Sequence, residues 1–231
     1  HEDVLGELLE SILSQETNYS FSITIGVDAC IDRTLDIARK YHDEHQDVIS
    51  LLEHSQNIGG NENYFSVKSV LDGKFIMILD GDDLFLPGKI QKVCDLFIKN
   101  EDIMMVAHPM LLVSEDLKQC FGLDKPELPE KLSMKSMASN YIAFGNSQKT
   151  YRSPFKVSNY DNPIDFCTDI KYLGSNGVIG IINEPLGLKR DFRNSATKVT
   201  GPKLELLIDA TLTGFDTAYD LTTDSVILKA K

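Results

Sequence analysis

The chain has 231 residues and a mass of 25.8 kDa, enough to bury a substantial core as one α/β domain or one domain with a small appendage. Lys plus Arg number 23 against 35 Asp plus Glu, and the resulting net charge of −12 opposes broad binding to nucleic-acid phosphates or anionic lipid. Hydrophobic residues at 42% and charged residues at 25% are the balance of a globular chain, and no low-complexity stretch points to a long linker.

Residues 3–14 carry Leu5, Leu8, Leu9, Ile12 and Leu13 at helical spacing, so an amphipathic helix opens the chain and needs a sheet to cover its apolar face. Phe21, Ile23, Ile25 and Val27 alternate with Ser22, Thr24 and Gly26, the period of a strand, and residues 28–33 turn into a helix starting near Thr34. The unit repeats, with a strand over 48–52, a glycine-containing loop over 57–61 and a helix over 63–71. A fully apolar strand over 75–79 follows, and its continuous apolar character predicts a place at the sheet centre, covered on both faces. After an acidic turn, Pro87 opens a helix with Ile90, Val93, Cys94 and Phe97 on its core face. An apolar stretch over 103–112 precedes a polar segment, 114–130, read as a loop. Further helices are expected near 133–139 and over 163–173, strands over 178–182 and 186–189, and a C-terminal helix over 202–208 or beyond. Strands alternating with helices predict a doubly wound, mostly parallel sheet flanked by helices.

Cys30, Cys94, Cys120 and Cys167 are widely spaced with no C-x-x-C pair, so reduced thiols are a simpler reading than disulfides or a zinc site. The most apolar stretch, 103–113, is interrupted by His108 and Pro109 and is too short to cross a bilayer, so no transmembrane segment is expected. His1, Glu2 and Asp3 have neither the basic start nor the apolar run of a signal peptide, and no methionine leads, so the chain is expected to begin inside a longer protein.

The strongest chemical signal is Ile78-Leu79-Asp80-Gly81-Asp82-Asp83, three carboxylates directly after an apolar strand. In open α/β sheets the ligand crevice lies beyond the carboxyl ends of strands, and clustered carboxylates supply the oxygen ligands that a hard divalent cation needs. An acidic surface turn is the bland alternative. These acids stand in series with three shorter motifs: Glu10-Ser11-Ile12-Leu13-Ser14-Gln15, Asp28-Ala29-Cys30-Ile31-Asp32-Arg33-Thr34 and Asn57-Ile58-Gly59-Gly60. With them, residues 5–83 and again 151–195 resemble bacterial glycosyltransferase family 2, which has the GT-A fold.

The resemblance implies roles residue by residue. Asp80-Gly81-Asp82 matches the family's D-x-D motif, with Asp80 near the donor ribose, Asp82 holding Mn²⁺ or Mg²⁺ on the diphosphate, and Asp83 assisting. Asp28 matches the acid that contacts the base in relatives using uridine nucleotides, or else closes a strand-end turn. Asn57 and Gly59 match a loop that lets backbone approach the nucleotide, or else form a plain turn. Ile164-Asp165-Phe166 resembles the family's acid-aromatic pair, making Asp165 the base that deprotonates the acceptor; an acid so close to Asn162 and Pro163 also suits a helix start. Arg190, in Glu184-Pro185-Leu186-Gly187-Leu188-Lys189-Arg190, matches a strand that faces phosphate, or is a surface arginine.

Three departures stand beside these matches. The family's first strand is absent ahead of His1 and is expected centrally, beside residues 21–27. Ala29-Cys30 replaces a Gly-Ser, and Phe192 stands where a histidine is usual. The resemblance implies an inverting enzyme taking a nucleotide-sugar, a UDP-sugar for preference, and a glycan or lipid-linked glycan acceptor of a bacterial surface polysaccharide. It acts in the cytoplasm or peripherally at the inner face of the membrane, with no nucleic-acid partner. Residues 1–113 form the donor half, 114–199 the acceptor and catalytic half, and 200–231 a C-terminal helical segment, within a single domain. Two alternatives stay open: a non-catalytic relative that binds nucleotide or glycan as an interaction module, and a sugar-phosphate nucleotidyltransferase, which would want a basic Gly-rich loop that the chain lacks.

Overall fold

A computed structural model describes residues 1–140, 142–154 and 165–191 of the protein. Helix α1 (Leu5–Leu13) buries Leu5, Leu8, Leu9 and Ile12, the stripe its spacing anticipates. Strand β1 (Ile23–Asp28) follows, then helix α2 (Thr34–Glu44), whose first amide is capped by Asp32 Oδ1 at 3.0 Å. Strand β2 (Ile49–His54) pairs in parallel with β1, Ile23 opposite Ile49, and helix α3 (Gly60–Ser69) packs on β1. That packing is close, since a Cβ on Gly26 would lie 2.4 Å from Val67 Cγ2.

Strands β3 (Phe75–Met77) and β4 (Leu84–Phe85) bracket the acidic turn. Helix α4 (Lys89–Lys99) buries Ile90, Val93, Cys94 and Phe97 as expected, and Lys89 with them. His108 and Pro109 split the next apolar stretch into β5 (Ile103–Ala107) and β6 (Leu111–Ser114). The polar segment read as a loop contains β7 (Cys120–Leu123), which folds back antiparallel on β6, and β8 (Lys131–Ser133) comes after it. Helix α5 (Met134–Ser139) is capped by Ser133. Strand β9 (Lys149–Arg152), helix α6 (Asp165–Leu173), β10 (Val178–Ile181) and β11 (Gly187–Asp191) complete the described chain. The expected helix over 202–208 lies outside the described residues.

The architecture is α/β, with helices flanking sheets that combine parallel and antiparallel pairs. Parallel pairs β1·β2, β5·β10 and β6·β11 form the doubly wound frame. Strand order is β3-β9-β5-β10-β8 in one sheet, β4-β11-β6-β7 in a second and β1-β2 in a third. Among the described residues, strand β3 stands at the edge of its sheet and not at the centre its apolar run predicts: antiparallel β9, from the second half of the chain, pairs with one side, and no described strand pairs with the other. Its other side faces a cavity of about 1580 Å³ that β1 and α1 also line. The core beneath the second half gathers Met105, Met134, Phe166, Ile170 and Ile179, all at most 1% exposed, each such side chain stabilising the fold by roughly 1.5–3 kcal/mol.

Candidate functional site

The acidic turn is a closed structure. Asp83 N–H donates to Asp80 O at 3.1 Å, and the three carboxylates diverge in environment. Asp80 is exposed, Asp82 half-buried and Asp83 only 3% exposed. Burial pushes the Asp83 carboxyl up to about 6; repulsion from Asp82 and Asp80 adds to this, while the Ser147 hydroxyl and Lys189 oppose it. The second half of the chain reaches this turn through a short 3-10 turn, Asn146–Gln148. Ser147 Oγ accepts from Asp80 N at 3.0 Å, and Asn146 Nδ2 donates to Asp80 Oδ1 at 3.4 Å. Lys89, fully buried, donates from Nζ to Ser147 O at 2.8 Å and sits 3.9 Å from the Phe85 ring centre. Its burial pulls the ammonium down to about 7, with Asp83 acting in the other direction.

Arg190 was expected to face phosphate, but the structure turns it inward. It is 3% exposed on β11, its Nη1 donates to Asp82 O at 2.8 Å, and its Nη2 pairs with Glu7 of α1. The guanidinium thus grips the backbone of the acidic turn.

The Asp28 carboxylate closes a second loop. Its Oδ1 accepts from Ile58 N at 2.7 Å and its Oδ2 from Gly59 N at 2.8 Å, while Asn57 Nδ2 donates to Asp28 O at 3.3 Å. Gly59 has φ of 89°, a left-handed conformation that favours glycine. Ala29, with φ of 39°, adopts the same region without that freedom, which gives a physical reason why glycine is the usual residue there. Asp28, Asp80 and Asn146 all line the cavity, so the structure brings the two loops to one opening. Asn57 is exposed beside it.

Asp165 is the first residue of α6; its side chain lies outside the described residues, as do Asn162, Pro163, Ile164 and Phe192. Asp169, one turn on, is wholly buried, 3.2 Å from Lys149 Nζ and accepting from Tyr151 OH at 2.6 Å.

Among the described residues, no three acidic, histidine or cysteine side chains are gathered closely enough to cage a metal ion. An exposed Asp80 and a half-buried Asp82 on one turn nevertheless fit Mn²⁺ or Mg²⁺, hard cations that are commonly held by one or two carboxylates and completed by substrate phosphates. Sequence reasoning missed Ser147, Lys89 and Glu7. Lys89 carried a signal, since it shares a helix face with Val93 and Phe97 at four-residue steps; Ser147, one serine in a polar stretch, carried none.

The family model described as glycosyl transferase family 2 matches residues 1–117, the part that holds both loops. An uncharacterized protein of Mycobacterium tuberculosis is 23% identical over 201 residues, covering 82% of this chain and 55% of its own length. The putative glycosyltransferase EpsE of Bacillus subtilis is 32% identical over 114 residues, 49% of this chain and 41% of EpsE. The chain thus spans about half the length of these curated relatives. Among solved structures, Staphylococcus aureus TarS 1–349 superposes with a TM-score of 0.69 at 13% identity, covering 95% of this chain and 63% of that one. A Pyrobaculum calidifontis mannosyltransferase, solved with GDP-Man and Mn²⁺, gives 0.64 at 13% identity, covering 95% and 61%. At such identities these two likenesses establish the GT-A fold alone.

Proposed function

The chain belongs to glycosyl transferase family 2, and from that premise we propose that it is an inverting, metal-dependent transferase moving a sugar from a nucleotide-sugar, a UDP-sugar first, to an acceptor hydroxyl. The observation that carries the reading is the Asp80–Asp83 turn, whose exposed Asp80 lines the opening it shares with the Asp28 loop, with half-buried Asp82 two residues on. Asp28, Asn57 and Gly59 shape the nucleotide side, Asp80 and Asp83 the donor side, and Arg190 acts on the donor through the turn it holds. Mn²⁺ or Mg²⁺ on Asp82 would neutralise charge on the leaving diphosphate. Asp165 takes the proton of the acceptor hydroxyl. The acceptor oxygen then bonds to the anomeric carbon as the carbon–oxygen bond to the diphosphate breaks, leaving the linkage inverted.

Residues 1–113 serve as donor half and 114–199 as acceptor half of one domain. Support comes from β9, which lies between β3 and β5, so that neither half completes its sheet alone. The acceptor is a glycan or lipid-linked glycan of a bacterial surface polysaccharide, reached in the cytoplasm or at the inner face of the membrane. Among the described residues no helix is long and apolar enough to cross a membrane. One observation favours a non-catalytic nucleotide- or glycan-binding module instead: both Asp28 oxygens are already committed to loop amides.

A screen of nucleotide-sugars for slow hydrolysis with Mn²⁺ separates the two readings, because donor hydrolysis needs no knowledge of the acceptor. Turnover of one donor that disappears in Asp82→Ala, with the melting temperature unchanged, supports the enzyme. Absence of turnover across all donors would favour the module.

A further inference from the structure

We propose that Ser147 is a positioning residue of the donor site, holding the backbone at the start of the Asp80–Asp83 turn from the second half of the chain. The inference rests on the reading of that turn as the donor site. Strand β3 ends at Met77, so the backbone at Asp80 has left the ladder, and its N–H finds its partner in Ser147 Oγ at 3.0 Å. The Ser147 hydroxyl also opposes the upward push of burial on the Asp83 carboxyl at the far end of the turn.

Ser147 is itself rigidly held. It is 2% exposed, and its carbonyl receives the buried Lys89 ammonium at 2.8 Å. The turn around it is closed by Gln148 N to Gly145 O at 3.1 Å and by Gly145 N to Gln148 Oε1 at 2.8 Å. Gln148 also pins the turn to the end of β5, donating from Nε2 to His108 O at 3.2 Å and accepting His108 N–H at 3.2 Å. With Arg190 on the Asp82 carbonyl, the backbone of the acidic turn is gripped at two points while Asp80 remains exposed and Asp82 half-buried. Ordering these groups before the donor arrives removes part of the entropic cost of binding.

Ser147→Ala deletes the hydrogen bond to Asp80 N–H and little volume. The expected result is a loss of about threefold to tenfold in calorimetric UDP affinity measured with Mn²⁺, the scale of one net hydrogen bond. Donor hydrolysis should show a raised KM and a lowered kcat, and Ser147→Thr, which restores the hydroxyl, should recover most of both. Where the alanine variant melts too low to assay, Ser147→Cys, similar in size with only a weak acceptor, carries the same test and should lose affinity. Wild-type affinity in the alanine or cysteine variant overturns the positioning role and leaves the donor site standing. A wild-type protein that binds no nucleoside diphosphate with Mn²⁺ overturns the donor reading and the positioning role together.

Discussion

Asp165 and Asp169 lie one turn apart on α6, and sequence spacing alone puts them on one face. Asp169 is 0% exposed and committed to Lys149 and Tyr151, where an acceptor hydroxyl cannot reach it. Asp165→Asn should therefore lower turnover by roughly 10²–10⁴-fold while calorimetric nucleotide affinity holds, the pattern of a lost general base. Asp169→Asn, which spacing would recommend as a silent control, should instead destabilise the fold by roughly 3–5 kcal/mol in a denaturant titration, since it removes a charge that balances buried Lys149. Unchanged turnover in Asp165→Asn would move the base elsewhere. His108 supplies a pH prediction at the same scale. Burial, then the nearby Lys89 charge, lowers its imidazole to about 3, although its ring Nδ1 lies 2.8 Å from Pro109 O. The folded state thus holds it neutral while the unfolded chain protonates it near 6.5. Its contribution to stability is full above pH 6.5 and is lost as pH falls toward 3. His108→Asn should flatten that loss in denaturation midpoints taken between pH 7 and 4; parallel curves would remove His108 from the account.

At the scale of elements, the sequence is most legible where burial follows from local period. Leu5, Leu8, Leu9 and Ile12 of α1, and Val93 and Phe97 of α4, sit inward as their spacing requires. Strand β9 gives no such sign, because Lys149 and Thr150 look like surface residues; what buries Lys149 is an aspartate twenty positions away. The same strand supplies the neighbour of β3, a pairing that no reading of residues 75–79 alone can foresee. The acidic turn was legible because its charges end an apolar strand, whereas the parts that hold it, Arg190, Glu7 and Ser147, come from distant segments. The cavity between β1 and β3 leads to a further prediction. Ile23 N bonds to Val48 O of the β2 side, so by alternation Thr24 and Gly26 present their polar groups to the cavity, where Asn63 Nδ2 already donates to Gly26 O at 3.1 Å. His1 stands beside Gly81, at the carboxyl end of both strands. A β-forming segment joined ahead of His1 should run there parallel to β1. Slower hydrogen exchange at the Thr24 and Gly26 amides in such an extended protein is the expected outcome, and unchanged exchange would contradict the placement.

For the whole molecule, charge and site geometry lead to one demand. The chain is acidic, with a net charge of −12, and its candidate donor turn adds three carboxylates within four residues. Each pair of like charges about 4 Å apart costs roughly 1 kcal/mol in water and about 4 kcal/mol at a partly buried protein surface. A bare diphosphate brought to Asp80 and Asp82 therefore meets repulsion worth about one to three factors of ten in affinity. A divalent cation between the carboxylates and the phosphates reverses the sign of that interaction. Calorimetry should accordingly find UDP bound at least about tenfold more tightly with Mn²⁺ or Mg²⁺ than with EDTA, and the advantage should shrink in Asp82→Ala. Added salt should narrow the gap at the exposed Asp80 more than at half-buried Asp82, because solvent ions screen exposed charges first. Equal affinity with metal and with chelator would take the cation out of the proposal while leaving nucleotide binding intact. No binding of any nucleotide under either condition would mean that the fold has kept the acidic turn without its ligand, and the interaction-module reading would stand in its place.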